Sequence, residues 1–312
     1  MSSNGLPLIQ ARNLVKRFGD FVAVDGIDFD LQRGEAFGFL GPNGAGKTST
    51  MRMIGCVSPV TDGSLTILGL DPARDGVEIR GRLGVVPQQD TLDMELTVRE
   101  NIIIYGRYFG LSRRDLGRRA DELLDFVELS ERANDKVEPL SGGMKRRLTI
   151  ARSLVNDPEV MLLDEPTTGL DPQARHVVWD RLYRLKRQGV TLVLTTHYMD
   201  EAEQLCDRLV VMDRGKIVAE GSPRDLIERY STREVVELRF DDGNRPDDLS
   251  YWTDGLVSRV ELLPDRVLLY AHDGDAASHG LHERGLMPES VMVRRSTLED
   301  VFLHLTGRSL IE

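Results

Sequence analysis

The stretch GPNGAGKTS, residues 41–49, decides the fold of this chain. It contains the pattern G-x-x-x-x-G-K-T and lies between the apolar run AFGFL, which predicts a strand, and KTSTMRMIGC, which predicts a helix. In this context backbone N–H groups can wrap phosphate oxygens, and the N-terminal end of the helix adds positive potential. We predict that Lys47 contacts β- and γ-phosphate oxygens and that the Thr48 hydroxyl binds Mg²⁺. The loop residues predicted to bind a nucleotide are Gly41, Pro42, Asn43, Gly44, Ala45, Gly46, Lys47, Thr48 and Ser49.

The composition narrows the classes of partner. The 312 residues allow one large or two modest domains, and the net charge of −11 without a basic block disfavours nucleic acid as the main partner. Cys56 and Cys206 are far apart in the sequence, as expected for reduced thiols in the cytosol. The start of the sequence does not resemble a signal peptide, and no apolar run reaches the roughly 18–20 residues needed to span a bilayer. We therefore expect the chain by itself to be soluble.

The remaining patterns up to residue 230 predict an α/β core with a helical insert. Residues 8–18 and 21–35 alternate apolar and polar positions, which predicts antiparallel strands of a half-buried sheet. The apolar runs in EVMLLDEP and VTLVLTTH have the length of buried parallel strands. Residues 90–157 lie in the sequence between the phosphate loop and these two runs, and their pattern is mostly helical. One predicted helix carries an apolar stripe of Leu116, Ala120, Leu123, Leu124 and Val127.

Residues 231–312 have a different character and predict a small α+β domain. The segments EVVELRF, LVSRVELL, DRVLLYA and VMVRR are predicted strands, separated by the breaks DDGNRPDD and HDGD. Ser296 and Glu299 have the spacing of a capping box before a terminal helix that ends near Gly307. We predict domains of residues 1–230 and 231–312, and no catalytic constellation in the second.

Three side chains at the ends of predicted buried strands, and one at the entry to the helical insert, are candidates for chemistry on the phosphates. Asp164, at the end of VMLLD, can hold Mg²⁺, and Glu165 can polarise an attacking water. Taken alone, two solvated acids would explain this pair equally well, but the phosphate loop favours catalysis. His197 ends the strand LVLTTH and can orient the water and Glu165, although a lone histidine there is more often structural. Gln88, in VVPQQD, is either an ordinary loop amide or a ligand of Mg²⁺ and water that senses the γ-phosphate.

Six motifs in fixed order resemble one family. The phosphate loop, VVPQ, LSGGM, MLLDEP, GLDP and TTH, within residues 8–229, resemble the nucleotide-binding subunit of an ATP-binding cassette (ABC) transporter. The resemblance implies a RecA-like P-loop NTPase core with an antiparallel β-subdomain and an inserted helical subdomain. It implies ATP and Mg²⁺ as ligands, and Phe18 as the aromatic that stacks on adenine; a plain core position is the alternative for Phe18.

The resemblance also gives LSGGM a function in trans. In the family two chains pack head to tail, and this signature contacts the γ-phosphate held by the other chain. Ser141, Gly142 and Gly143 would then complete the partner's site, and Asp171 in GLDP would cross the same interface. Met144 replaces the usual glutamine, which leaves contacts through backbone N–H groups possible. The chain is expected to form a homodimer, or a heterodimer with a sister ATPase.

The longer motif context resembles the export-type group, which includes daunorubicin-resistance ATPases and nodulation-factor exporters. The ending STLEDVFLHLTG resembles the short accessory domain of that group. The implied function is ATP hydrolysis that powers an exporter with separate membrane-spanning subunits, at the cytoplasmic face of the cell membrane. The implied cargo is a drug, an antibiotic or a lipid- or glycoconjugate-like molecule. An importer ATPase and a regulatory ATPase outside transport are the alternatives.

Overall fold

The computed structural model describes residues 6–241, 245–246 and 248–307. Its contacts divide the chain into two compact units, Met1–Glu220 and Gly221–Glu312. Among the residues described, no helix is long and apolar enough to cross a membrane.

The first unit begins with a three-stranded antiparallel sheet of order β2-β1-β4. The two strands predicted from alternation are confirmed, and a third strand, not predicted from the sequence, completes the sheet. The buried face includes Phe29, whose ring packs edge-on against Phe39 of the next strand with the ring centroids 5.2 Å apart. This aromatic contact fixes the start of the phosphate loop against the antiparallel sheet. The strands are β1 Ile9–Phe18, β2 Phe21–Leu31 and β4 Asp62–Ile67.

A six-stranded sheet of order β5-β6-β7-β3-β8-β9 forms the centre of the first unit. Its strands β5, β6, β7, β3 and β8 pair in parallel, so their carboxyl ends meet at one edge. Ligands of such sheets bind at that edge, and three predicted site segments follow β3, β6 and β7 there. The strands are β3 Ala36–Leu40, β5 Leu83–Val86, β6 Val160–Asp164, β7 Thr191–Thr196, β8 Arg208–Asp213 and β9 Lys216–Gly221.

Helices flank this sheet, and the helical insert is confirmed between β5 and β6. The predicted apolar stripe of the insert is buried at all of its positions. Thr97 and Glu100 form a capping box at the first helix of the insert. The first-unit helices are α1 Lys47–Ile54, α2 Pro72–Gly81, α3 Val98–Arg107, α4 Arg113–Phe126, a 3₁₀ turn Ser130–Arg132, α5 Gly142–Ser153, α6 Pro172–Arg187 and α7 Met199–Leu205.

The second unit is an α+β domain built on a four-stranded antiparallel sheet of order β11-β12-β10-β13. The predicted strands are all present. Its first helix, α8, packs against the terminal helix α11 and therefore belongs to the second unit. The boundary between the units lies before this helix, whereas the sequence predicted it after residue 230. The elements are α8 Pro223–Tyr230, β10 Glu234–Arg239, α9 Ser250–Thr253, β11 Arg259–Leu262, β12 Val267–Ala271, α10 Gly274–Glu283, β13 Ser290–Arg295 and α11 Leu298–Thr306.

One local prediction for this unit was confirmed and one was wrong. The stretch HDGD does end β12, and it also begins α10, which was not predicted: Asp273 caps this helix by accepting a hydrogen bond from the Ala276 N–H at 2.9 Å. The capping box of the last helix is formed by Thr297 and Asp300, one residue after the predicted pair, because Asp300 is also held by the Arg294 guanidinium. The predicted helix end at Gly307 is confirmed by its left-handed backbone, with φ of +68°.

Candidate functional site

The glycine loop between β3 and α1 has a left-handed backbone at the residue before the helix. Gly46, the residue before α1, has φ of +104°, and a Cβ there would lie 2.5 Å from the Ala23 carbonyl oxygen. Glycine is therefore required at this position. Lys47 is buried, and its Nζ donates to the carbonyl oxygens of Gly41 at 2.6 Å and Pro42 at 3.0 Å. Burial lowers the pKa of Lys47, while the nearby carboxylates of Glu165 and Asp164 oppose this effect.

The end of β6 brings Asp164 to the start of α1. The Asp164 Oδ1 accepts hydrogen bonds from the Thr195 hydroxyl at 2.5 Å and from the Thr48 hydroxyl at 3.4 Å. Thr195 is the residue opposite Asp164 in the β6–β7 register, and it was not among the residues predicted from the sequence. The two residues proposed from the sequence as magnesium ligands, Thr48 and Asp164, are thus adjacent.

Glu165 is held from several sides in a strained conformation. Its φ of +46° is uncommon for a residue with a side chain, and its N–H donates to both oxygens of Thr195 at 3.1 Å. The Oε2 accepts from the Gln88 amide and from the Thr168 hydroxyl, both at 3.1 Å, and the Oε1 lies 3.3 Å from Nδ1 of His197. Contact with His197, opposed by burial and assisted by the Lys47 charge, lowers the pKa of Glu165. The carboxylate is therefore ionised at neutral pH and fixed in direction.

Lys47, Thr48, Gln88 and Glu165 line a cavity of about 180 Å³ at the loop, whereas Asp164 and His197 lie behind them and do not line it. A larger cleft of about 780 Å³, formed by residues 56–66 and 71–73, contains none of the predicted site residues. Phe18 does not line the smaller cavity, whereas Phe21, its neighbour across the β1–β2 pair, does. Both rings are exposed, and the Lys16 ammonium lies 4.8 Å from the Phe18 ring centre. The lining residues are Phe21, Ala23, Pro42, Asn43, Gly44, Ala45, Gly46, Lys47, Thr48, Ser49, Gln88 and Glu165.

The signature residues do not line this cavity, and they have local functions of their own. The Ser141 hydroxyl caps α5 by accepting from the Met144 N–H at 3.3 Å. A Cβ on Gly143 would lie 2.7 Å from the Cβ of Ala174, so glycine is required for α5 to pack against α6. Asp171 caps α6 by accepting from the Ala174 N–H at 2.9 Å. Ser141, Gly142 and Asp171 are exposed, which leaves them accessible to a second chain.

Arg146 connects α5, the helix at the signature, to the end of β6, and it was not among the residues predicted from the sequence. Its buried guanidinium donates to the carbonyl oxygens of Asp164, Glu165, Pro166 and Pro87 at 2.5–3.1 Å. These carbonyls belong to the segments that carry Glu165 and Gln88. The arginine side chain therefore fixes both segments relative to the start of α5.

We predict that Arg146→Ala lowers the free energy of unfolding of the first unit by about 3–5 kcal/mol, since it leaves several buried carbonyl oxygens without a donor. Urea unfolding in a Trp252→Phe background measures this, because Trp179 then reports on the first unit alone. The control is Arg113→Ala, at an exposed arginine of α4, with an expected change within about 0.5 kcal/mol. Equal unfolding midpoints for the two variants would contradict this function of Arg146.

Comparisons with known proteins agree with this geometry. The family model described as ABC transporter matches residues 24–168, and the model of the C-terminal domain of the nodulation factor export protein NodI matches residues 248–307. The chain is 45% identical to Nod factor export ATP-binding protein I of Cupriavidus metallidurans, over 97% of this chain and 98% of the relative. It is 46% identical to the protein of the same name from Ralstonia nicotianae, over 97% and 95% of the two chains.

Solved structures show the same fold for the first unit. The ATP-binding cassette MJ0796, in a dimeric post-hydrolysis state bound to ADP and Pi, matches with a TM-score of 0.63 and 29% identity, over 69% of this chain and 98% of that one. CbiO1 from Clostridium perfringens, part of an ABC transporter complex, matches with a TM-score of 0.67 and 26% identity, over 72% and 91%. The predicted P-loop NTPase fold is confirmed. The chain therefore belongs to the ATP-binding subunits of ABC transporters, in their export-type group, and its activity is ATP hydrolysis coupled to transport.

Proposed function

We propose that two copies of this chain bind two ATP molecules between them, with the phosphate loop of one chain facing Ser141, Gly142 and Gly143 of the other. The cavity in one chain carries this proposal. Its volume of about 180 Å³ is smaller than the roughly 300–1,000 Å³ of pockets that enclose small ligands, and the signature is exposed elsewhere. The cassette MJ0796 is dimeric in two of the similar solved structures, which supports the pairing of two chains.

The donors at the loop fit a magnesium ion bound together with the nucleotide. Thr48, Asp164 and Gln88 offer neutral and anionic oxygens, which Mg²⁺ prefers. In the described ranges, no group of three His, Cys, Asp or Glu residues could hold a metal by itself. In sites of this kind Mg²⁺ takes one or two carboxylates, here Asp164, and completes its shell with neutral oxygens, phosphate oxygens and water. Its chemical contribution would be to neutralise charge on the β- and γ-phosphates.

The side chains around the cavity would divide the hydrolysis between them. Lys47 and the loop N–H groups bind the β- and γ-phosphates, and the Glu165 carboxylate accepts a hydrogen bond from the attacking water. That carboxylate is contacted by His197 on one oxygen and accepts hydrogen bonds from Gln88 and Thr168 on the other. These contacts fix its orientation. Loss of the γ-phosphate removes the charge that joins the two chains. ATP binds the closed dimer more tightly than the open one, and hydrolysis removes this preference. The open state then becomes the more populated one.

The transport function follows from the similarity along the whole chain. We propose that the dimer drives separate membrane-spanning subunits at the cytoplasmic face of the membrane. The segment around Gln88 would transmit the closure of the dimer to these subunits. Similarity to Nod factor export ATP-binding proteins over 97% of the chain supports a glycoconjugate-like cargo.

We predict that the chain moves from the cytosolic to the membrane fraction when membrane proteins encoded beside it are co-expressed. Inside-out vesicles from these cells should take up a radiolabelled lipid-linked oligosaccharide when ATP is supplied. Lys47→Ala is the control, since it should keep the membrane location and abolish uptake. A chain that stays cytosolic in both cultures and co-purifies with a soluble protein would contradict transport and favour a regulatory ATPase.

A further inference from the structure

Glu201 of α7 carries a fully buried carboxyl group that has no part in the hydrolysis described above. Burial of such a group is costly unless other groups donate hydrogen bonds to it. Its Oε1 accepts from the Thr167 hydroxyl at 2.8 Å and from the Trp179 indole N–H at 3.2 Å. Burial raises the pKa of this carboxyl, and hydrogen bonds from neighbouring side chains oppose the shift. Glu201 therefore joins α7 to α6 and to the segment that follows β6.

The contact between Thr167 and Glu201 joins the same two segments as the contact between Glu165 and His197. Thr167 lies two residues after Glu165, and Glu201 lies four residues after His197. The segments are thus connected twice, by Nδ1 of His197 at 3.3 Å from Oε1 of Glu165 and by the Thr167 hydroxyl. The hydroxyl contact is buried, and a hydrogen bond shielded from water is the stronger for it.

Both oxygens of the Glu165 carboxylate depend on groups that this buried contact holds in place. Thr168, next to Thr167, donates to Oε2 at 3.1 Å, and His197, on the segment that leads into α7, contacts Oε1. Thr168 and Gly169 are exposed, so Thr167 is the last buried residue before this exposed stretch. The buried contact therefore fixes the distance between the groups on the two sides of the carboxylate.

We propose that Glu201 is a positioning residue for ATP hydrolysis and acts through Thr167 on the orientation of the Glu165 carboxylate. This inference rests on the proposed function of Glu165, which is to accept a hydrogen bond from the attacking water. Neither Thr167 nor Glu201 lines the cavity at the phosphate loop, so neither contributes to nucleotide binding there. A catalytic group needs its supporting contacts to stay in the productive geometry. Loss of the contact should therefore slow hydrolysis and leave the affinity for ATP unchanged.

Thr167→Val tests the contact with little change of shape, because valine fills the same space without the hydroxyl. We expect kcat at least about tenfold lower, with KM for ATP within about twofold of the wild type. The variant should also accumulate the ATP-bound dimer on size exclusion, since it binds ATP and hydrolyses it slowly. A loss of folded chain would instead lower the amount of this dimer. Thr167→Ser keeps the hydroxyl and should recover the wild-type kcat to within about threefold.

Thr191→Val is the matched control in the same unit. Thr191 is fully buried at the start of β7, the end of the strand away from the cavity, and its hydroxyl accepts from the Gly34 N–H at 2.9 Å. The substitution removes a buried hydrogen bond of the same kind but should keep the wild-type kcat. Equal losses of kcat in Thr167→Val and Thr191→Val would overturn the proposal.

Substitutions of Glu201 itself test whether an acceptor is what this position supplies. Glu201→Leu has no acceptor and should slow hydrolysis as much as Thr167→Val does. Glu201→Gln keeps an oxygen for Thr167 and Trp179 and should retain kcat to within about threefold. A glutamine variant as slow as the leucine variant would overturn the assignment. The two Thr167 variants decide the question whether or not Glu201→Leu folds.

Glu165→Gln separates this inference from the proposed function on which it rests. If Glu165→Gln hydrolyses ATP at the wild-type rate, the proposed function of Glu165 fails and the inference fails with it. If Glu165→Gln is slow while Thr167→Val keeps the wild-type kcat, the proposed function stands and the positioning function of Glu201 alone is refuted.

Discussion

Glu165→Gln is expected to lower the steady-state ATPase rate of the full chain by about 10²–10⁴-fold, the usual contribution of a positioned general base. Glutamine keeps the size of the side chain and a carbonyl oxygen for the donors at Gln88 and Thr168, but it loses the charge that attracts the water proton. The pKa of Glu165 is lowered chiefly by His197, so the wild-type carboxylate is ionised at neutral pH. Phosphate release at saturating ATP and Mg²⁺ measures the effect.

The variant should also accumulate an ATP-bound dimer on size exclusion, because the step that reopens the dimer is blocked. Glu131→Gln, at an exposed glutamate of the insert, is the matched control and should keep both the wild-type rate and the wild-type elution. Thermal midpoints within a few degrees of the wild type would exclude unfolding as the cause of inactivity. An undiminished ATPase rate in Glu165→Gln would refute the assignment of the base.

The sequence could predict those site residues that belong to local motifs at the ends of parallel strands. Lys47, Asp164 and His197 each follow an apolar run of strand length, and parallel strands bring such positions to one edge of a sheet. The contact between Thr195 and Asp164 could not be predicted in the same way, because it depends on the register of β6 and β7, which no local pattern gives. The same holds for Arg146, whose acceptors are backbone carbonyl oxygens and leave no signal in the side-chain sequence.

The second unit shows why the same residue types can be interpreted in two ways. Asp and Gly interrupt strands, but they also begin helices, and HDGD begins α10 because Ala277 and Leu281 become buried against the sheet. Likewise, two overlapping pairs have capping-box spacing before α11. The pair with Asp300 forms the box because Arg294 of the neighbouring strand β13 binds this carboxylate. In both cases a contact made after folding decides between two local structures that the sequence allows equally.

Mixing Lys47→Ala chains with Ser141→Arg chains is expected to restore ATPase activity that neither variant has alone. In the heterodimer one site combines both defects, and the other combines an intact phosphate loop with an intact signature. Random pairing in a two-fold dimer makes half of the dimers mixed, with one of two sites intact, so the recovered rate should be up to about a quarter of the wild-type rate. Co-purification of differently tagged chains establishes that mixing has occurred.

The decisive control mixes Lys47→Ala with Glu165→Gln. Lys47 and Glu165 line the same cavity of a single chain, so every site in that heterodimer contains one of the two defects and no recovery is expected. Recovery with Ser141→Arg but not with Glu165→Gln would therefore separate groups that act in trans from groups that act in cis. If neither mixture recovers although the chains are shown to mix, the signature does not act on the partner's phosphate. If both recover, the cavity is not one catalytic unit.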